Sequence, residues 1–208
     1  DFGLQSALWD DIRESLGTAF EAHREDSEVE TAFGQWGKYL QYTYGSVEVG
    51  LDLFLRHSYL SVLARFLVAT ALWPEEAGLG DLAFIRGVVD GSWFVSKKIL
   101  NLADKDFFHW TGHEKVVASL EGSWLRVLNQ LKTYDFALLD EDILKGVYQE
   151  LVDPQDRHDL GEYYTPDWLC EKIVDRLFEG AVSDPAKGRI PSILDPTCGS
   201  GSFLRAGL

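Results

Sequence analysis

The chain has 208 residues, of which 46% are hydrophobic and 25% are charged, and it contains 7 Trp, 12 Phe and 8 Tyr. This composition excludes extensive disorder and provides enough apolar side chains for one or two folded domains. The formal net charge of −15 excludes this chain as the main clamp on DNA phosphates, because that role requires an excess of Lys and Arg.

Cysteine usage and hydropathy predict a cytoplasmic protein without a membrane segment. Cys170 and Cys198 match neither a disulfide framework nor a zinc spacing, so a reduced setting is expected. The longest apolar stretch, 59–73, is interrupted by Arg65 and is shorter than the roughly 20 residues that a helix needs to cross a bilayer. It therefore predicts a buried core helix. The lack of Met and the abrupt end at Leu208 predict a piece of a longer protein.

Apolar residues recur at helical spacing through most of the chain. The four stripes are Leu4, Leu8, Ile12, Leu16 and Phe20; Val29, Phe33, Trp36, Leu40 and Tyr44; Leu51, Phe54, Leu55, Val62, Phe66 and Leu67; and Val117, Leu120, Trp124, Leu128 and Leu131. Ser46 is predicted to cap the third helix and Pro74 to end it. Glycines break the pattern over 74–112, where loops with short helices or a hairpin are expected. These stripes indicate core packing and not a ligand site.

The character of the sequence changes at Asp153. A last helix is predicted over 140–151, and a polar loop that begins with Asp153–Pro154 follows it. We therefore expect two domains: a mainly α-helical domain over 1–152, and the beginning of an α/β Rossmann-like domain over 153–208, which is incomplete.

Thr165–Pro166–Asp167 has the features of a helix start: a capping Thr, Pro at the first helical position and an acid in the first turn. The buried face of this helix is predicted to contain Leu169, Ile173, Val174 and Leu177, and Gly180 is expected to end it.

Ser192–Ile193–Leu194–Asp195 predicts a short strand that enters a turn containing Gly199 and Gly201. A strand, a tight turn and then a helix open an α/β nucleotide-binding unit, in which ligands bind beyond the carboxyl ends of the strands. A dinucleotide fingerprint would require glycine in place of Leu204, and a P-loop would require a lysine after the turn. The spacing therefore fits neither NAD nor ATP, and a plain strand-to-helix connection remains an alternative.

The identity of the turn is more specific than its glycine spacing. Residues 195–204, Asp-Pro-Thr-Cys-Gly-Ser-Gly-Ser-Phe-Leu, resemble the first cofactor motif of amino-group DNA methyltransferases, especially N6-adenine enzymes of restriction–modification and phage-defence systems. Residues 161–166, Gly-Glu-Tyr-Tyr-Thr-Pro, resemble the partner motif that precedes it in that family. Residues 104–110 and 144–151 resemble, more loosely, the helical segment before the methylase core of large single-chain enzymes.

The resemblance implies that the cofactor is S-adenosylmethionine (SAM). It assigns cofactor binding to Glu162, Tyr163, Tyr164, Thr165, Pro166, Asp195, Cys198, Gly199, Ser200, Gly201 and Ser202. Thr165 would offer its hydroxyl and backbone amide to the cofactor carboxylate, Asp195, Cys198 and Gly199 would line its methionine side, and 200–202 would shape the wall under the sulfonium.

The same resemblance implies methyl transfer to adenine N6 in double-stranded DNA, by a parent protein that works with a specificity or nuclease domain or subunit. Its catalytic motif, Asn/Asp/Ser-Pro-Pro-aromatic, is absent, since the chain contains no Pro-Pro pair. We therefore assign no catalytic residue and expect the chain to be inactive by itself. No metal ligand is assigned either, because His109 and His113, spaced i, i+4, have Gly112 between them and no third ligand nearby. Cytosine-N4 methylation, or a non-catalytic scaffold or regulatory subunit that retains the fold, remain alternatives.

Overall fold

The structure, a computed structural model, describes residues 1–3, 5–45, 49–138, 145, 146, 149, 165–178 and 193–207. All regular secondary structure within these residues is helical. The α-helices are α1 (Ala7–His23), α2 (Ser27–Tyr44), α3 (Leu51–Leu72), α4 (Pro74–Leu79), α5 (Leu82–Val89), α6 (Ser92–Ser96), α7 (Glu114–Leu131), α8 (Asp167–Phe178) and α9 (Ser202–Ala206). Three 3₁₀ turns lie at Leu100–Leu102, His109–Gly112 and Phe136–Leu138.

The four long helices of the first domain match the four apolar stripes. α1 begins at Ala7 because the Ser6 hydroxyl accepts a hydrogen bond from the Trp9 backbone N–H at 3.1 Å. α3 begins at Leu51 with Gly50 at its N-cap, whereas Ser46, the predicted cap, lies outside the described residues. α3 ends at Leu72, and Pro74 starts α4 at a position where the missing N–H costs nothing.

α3 is the central helix and contacts α1, α4, α5 and α7. It is buried on several sides, as the apolar stretch 59–73 predicts, and it carries the buried charge of Arg65. The Arg65 guanidinium donates to the Val89 carbonyl at 2.8 Å and lies 3.5 Å from the Asp106 carboxylate. These partners offset the cost of burying the charge and tie α3 to the end of α5.

The glycine-rich region 74–112 forms short helices and 3₁₀ turns, and no hairpin forms in it. Its aromatic residues pack into the core: the Trp110 ring contacts Phe20 and Phe54, and its indole N–H donates to the Ser58 hydroxyl at 2.9 Å. Gly112 lies against α5, since a Cβ added to it would be 2.7 Å from the Asp90 Cα. None of the helices in the described parts of the chain combines the length and apolarity needed to cross a membrane.

Beyond residue 152, the structure describes only α8, α9 and residues that directly adjoin them. Of the predicted helix over 140–151, residues 145, 146 and 149 are described and are helical. The predicted strand is not seen: Ile193, Leu194 and Asp195 have no regular structure, and Ser192 lies outside the described residues. A strand forms by hydrogen bonding to a neighbour, and no neighbouring strand is present in the described residues.

The predicted buried face of α8 is confirmed at one position only. Val174 is buried together with Cys170, whereas Ile173 is 37% exposed and Leu177 is 70% exposed. The reason is that an apolar face becomes buried only when another element covers it. Gly180, the predicted end of this helix, lies outside the described residues, and α8 ends at Phe178.

Candidate functional site

The structure describes eight of the eleven predicted cofactor residues. Glu162, Tyr163 and Tyr164 lie outside the described residues. Thr165 and Pro166 lie directly before α8, and the other six belong to the turn that leads into α9: Asp195, Cys198, Gly199, Ser200, Gly201 and Ser202. The site is therefore described through the start of one helix and the glycine turn before another.

The start of α8 is fixed by backbone hydrogen bonds to Pro166. Its carbonyl accepts from the N–H of Leu169 at 2.9 Å and of Cys170 at 3.1 Å, so the helix begins at Asp167, one residue later than predicted. Boundaries of this kind vary by a residue or two. The first turn of such a helix presents backbone N–H groups without an intrahelical partner, which is the property that favours an anionic ligand group.

An ionic cluster surrounds the first residue of α8. The Asp167 carboxylate accepts from the Lys145 ammonium at 2.7 Å and lies 3.1 Å from the Arg205 guanidinium of α9. The Lys145 ammonium also donates to the Thr165 carbonyl at 3.1 Å. The hydrogen bond from Lys145, reinforced by the charges of Lys145 and Arg205, lowers the pKa of Asp167 below its usual value.

The glycine turn has a defined hydrogen-bonding pattern. The Gly201 N–H donates to the Cys198 carbonyl at 2.8 Å across Gly199, whose φ of +53° is accessible to glycine at little cost. Gly201 has a φ of +88° and precedes α9, and its carbonyl accepts from the Arg205 N–H at 2.8 Å. Both glycines of the motif are therefore required by backbone conformation, as their spacing predicts.

Contacts on both sides of this turn stabilise its conformation. The Asp195 carboxylate accepts from the Thr197 N–H at 3.0 Å, which is an Asx turn. At the far end, a Cβ added to Gly207 would be 2.5 Å from the Ile193 side chain, so the end of α9 packs against the residue that precedes the turn. Ser202 is buried, and its hydroxyl lies 3.3 Å from that of Ser200.

The helices that adjoin the two motifs contact each other. α8 contacts α9, and the Asp167–Arg205 ion pair joins the start of α8 to the helix that the glycine turn begins. Cys170, one turn into α8, is buried, and this burial raises the pKa of its thiol. Residues separated by about thirty positions in the sequence thus form one local structure.

The chemistry of this local structure fits a small zwitterionic cofactor. A Cβ added to Gly199 or Gly201 would meet no atom within 4 Å, so the space beside the turn is open. One carboxylate oxygen of Asp195, Oδ2, is buried, and the described residues offer it no hydrogen-bond donor. An unpaired buried acceptor is costly, and a ligand ammonium or hydroxyl would satisfy it.

Two histidines lie near the start of α7. His109 starts a 3₁₀ turn, and His113 follows that turn with its Nε2 3.3 Å from a Glu28 carboxylate oxygen. No group of three or more potential metal ligands occurs among the described residues. Cys198 is exposed in the turn.

The ionic cluster is a feature that the sequence did not reveal. Sequence patterns place Asp167 only in the first turn of a helix, and they assign no role to Lys145 or Arg205. Lys145 lies 22 positions before its partner, a separation that matches no local pairing rule. The only sequence signal is weak: an acid directly after one cofactor motif and a base directly after the other.

Comparisons with known proteins support the family resemblance of the two motifs. Residues 139–206 match the family model described as N-6 DNA Methylase. The chain is 38% identical, over 86 residues, to the type I restriction enzyme EcoEI methylase subunit of Escherichia coli. The aligned segment is 40% of this chain but only 16% of that subunit. No solved structure was found that matches the chain.

The family match covers both proposed cofactor motifs, the base Lys145, and the helices α8 and α9. The resemblance predicted from the two motifs is therefore confirmed: residues 139–206 carry the sequence pattern of the N-6 DNA methylases.

Proposed function

We propose that this chain is part of a SAM-dependent DNA methyltransferase that methylates adenine at N6 in a restriction–modification or phage-defence system. The observation that carries the proposal is the contact between α8, which directly follows one family motif, and α9, which begins within the other, inside the segment that matches the N-6 DNA methylases. The relative from E. coli, a methylase subunit of a type I restriction enzyme, supports the same activity.

The proposed cofactor site consists of Glu162, Tyr163, Tyr164, Thr165, Pro166, Asp195, Cys198, Gly199, Ser200, Gly201 and Ser202. When bound, SAM supplies an activated methyl group. The start of α8 would bind its carboxylate through backbone N–H groups, and the unpaired Asp195 oxygen would accept from its ammonium. The glycine turn would form an open wall on the methionine side.

Recognition of the target base belongs to other parts of the complete protein. A base in a duplex must leave the stack before its amino group can be methylated, and a polar residue and an aromatic ring must hold it there. The motif that supplies these groups in the family contains Pro-Pro, which this chain lacks. The net charge of −15 also favours DNA contacts outside this chain.

We further propose that the complete protein works in the cytoplasm with a specificity or nuclease domain or subunit. The name of the E. coli relative describes one subunit of a restriction enzyme, which supports an assembly of this kind.

The test is a methylation assay with the complete protein, together with any subunits that co-purify with it. The proteins are incubated with double-stranded DNA and SAM labelled in its methyl group, and the DNA is then digested to nucleosides. We expect label in N6-methyl-2′-deoxyadenosine. Label in N4-methyl-2′-deoxycytidine would support the cytosine alternative. SAM binding without DNA methylation would support the scaffold alternative.

A further inference from the structure

The acid at the start of α8 is bonded to two bases from different parts of the chain. Asp167 binds Lys145 at 2.7 Å and Arg205 at 3.1 Å. The side chain of Lys145 is only 13% exposed, so its ammonium is largely shielded from water, whereas those of Asp167 and Arg205 are 44% and 39% exposed. One carboxylate thus joins three segments that are far apart in sequence.

The two bonds hold different parts of the proposed cofactor site. Because Lys145 also donates to the Thr165 carbonyl, it fixes the backbone immediately before α8. Arg205 is one turn into α9, and its own N–H donates to the Gly201 carbonyl. Arg205 therefore binds Asp167 through its side chain and the glycine turn through its backbone N–H.

The geometry of the exposed glycine turn makes such a link useful. The turn has open space around Gly199 and Gly201, so packing around the turn itself provides little restraint. The ion pairs that Asp167 forms with Arg205 and Lys145 restrain the position of α9 relative to α8.

We propose that Asp167 is a positioning residue, which through Arg205 and Lys145 holds the two cofactor motifs at a fixed separation without touching the cofactor. The inference rests on the proposed function, since it assigns a role within the SAM site. Loss of the carboxylate charge would leave each motif intact but would let them move relative to each other, and SAM would then bind at the cost of ordering them.

The test measures SAM affinity by calorimetry in the complete protein, for Asp167→Asn, Arg205→Gln and the double variant. Each single substitution is expected to raise the Kd for SAM about three- to tenfold, the range expected when a partly exposed ion pair is lost. The two single effects should be less than additive in the double variant, because both changes remove the Asp167–Arg205 pair. Asp167→Glu should recover part of the affinity.

A matched control is Asp175→Asn, which removes the same charge from an exposed position of α8 and should change the Kd less than twofold. Saturating SAM should restore the methylation rate of Asp167→Asn, so that KM for SAM rises while kcat is retained. A merely structural role would instead lower the folded fraction of the variant without SAM, which urea unfolding measures directly.

The outcomes separate the two proposals. If the unsubstituted protein binds SAM and folded Asp167→Asn binds it within twofold as tightly, the positioning role is wrong and the proposed function stands. If the unsubstituted protein does not bind SAM, the proposed function is wrong and the positioning role falls with it. If Asp167→Asn does not fold, Arg205→Gln, which retains the bond between Lys145 and Asp167, decides the question by the same thresholds.

Discussion

His57 is a half-buried histidine on α3, the central helix. Its ring lies edge-on to Trp36, with centroids 5.7 Å apart, and to Phe108, with centroids 6.0 Å apart. Its Nε2 atom is buried, and the described residues provide no hydrogen-bond partner for it. Burial, together with the charge of Arg56, lowers the pKa of His57 from 6.5 to about 4.

This pKa predicts that acid destabilises the first domain. The unfolded chain takes up a proton near pH 6.5, whereas folded His57 remains neutral until about pH 4. The stability that neutral His57 contributes is therefore present above pH 6.5 and is lost as the pH falls through about 4. Burial also lowers the pKa of His109, which acts in the same direction.

The measurement compares urea unfolding of the unsubstituted chain and of His57→Phe at about pH 7 and about pH 5. Between these values the unsubstituted chain should lose about 2 kcal/mol more unfolding free energy than the variant, from a shift of this size. Leu60→Ala, a substitution on the same helix that removes no titratable group, is the control and should retain the full pH dependence. Equal pH dependence in His57→Phe and the unsubstituted chain would contradict the assignment.

At the scale of elements, the connection between α5 and α7 depends on close backbone contact. Gly91 has a φ of +81°, and a Cβ added to it would be 2.9 Å from the Ala103 Cα. A Cβ added to Gly112 would be 2.7 Å from the Asp90 Cα and 3.0 Å from its Cβ. These neighbours are mostly backbone atoms, so the 3₁₀ turn and the end of α5 would have to separate to admit a methyl group.

Two glycine-to-alanine substitutions should therefore have opposite effects. Gly112→Ala should destabilise the first domain by about 1–3 kcal/mol, the usual cost of overpacking. Gly122, exposed on α7 with nothing within 4 Å of an added Cβ, is the matched site, and Gly122→Ala should stabilise by up to about 1 kcal/mol through higher helix propensity. Thermal unfolding of the two variants tests this, and the same sign of change in both would contradict the close contact.

At the scale of the whole molecule, the excess of acids decides which partners the chain can attract. It has 34 Asp and Glu against 19 Lys and Arg. Several bases are also paired with acids: Arg13 with Asp52, Arg65 with Asp106, and Arg205 with Asp167. The positive charge that remains to bind phosphates is small.

The 208-residue chain is therefore expected to bind double-stranded DNA with a Kd weaker than about 10⁻⁴ M at physiological salt, the weak end of the non-specific range. Fluorescence anisotropy with a short labelled duplex, between about 50 mM and 200 mM salt, would measure this and its salt dependence. The complete protein is the positive control. Micromolar binding by the chain that weakens steeply with salt would show that it contains a phosphate-binding surface.

Periodicity predicted most of the first domain because its helices are long and each has one apolar face. Ile12, Leu16 and Leu120, for example, are placed inward by spacing alone and are buried in the structure. The identity of the glycine turn likewise predicted the N-6 DNA methylase family, because Asp-Pro-Thr-Cys-Gly-Ser-Gly is a far more specific pattern than two glycines.

Predictions were weaker where structure depends on neighbouring elements. The strand around Ile193 and the burial of Leu177 both require a covering layer, and neither is seen in the described residues. Spacing rules also do not predict the contacts of Arg65 and His57, because each residue contacts residues from other helices.

The sequence by itself thus determined the long helices, the conformation that Gly199 and Gly201 require, and the match of residues 139–206 to the N-6 DNA methylase family model. Each of these follows from local periodicity, backbone sterics or residue identity. Only the tertiary structure decided that Asp167 joins Lys145 to Arg205, because contacts between distant segments depend on how the chain packs and not on local spacing.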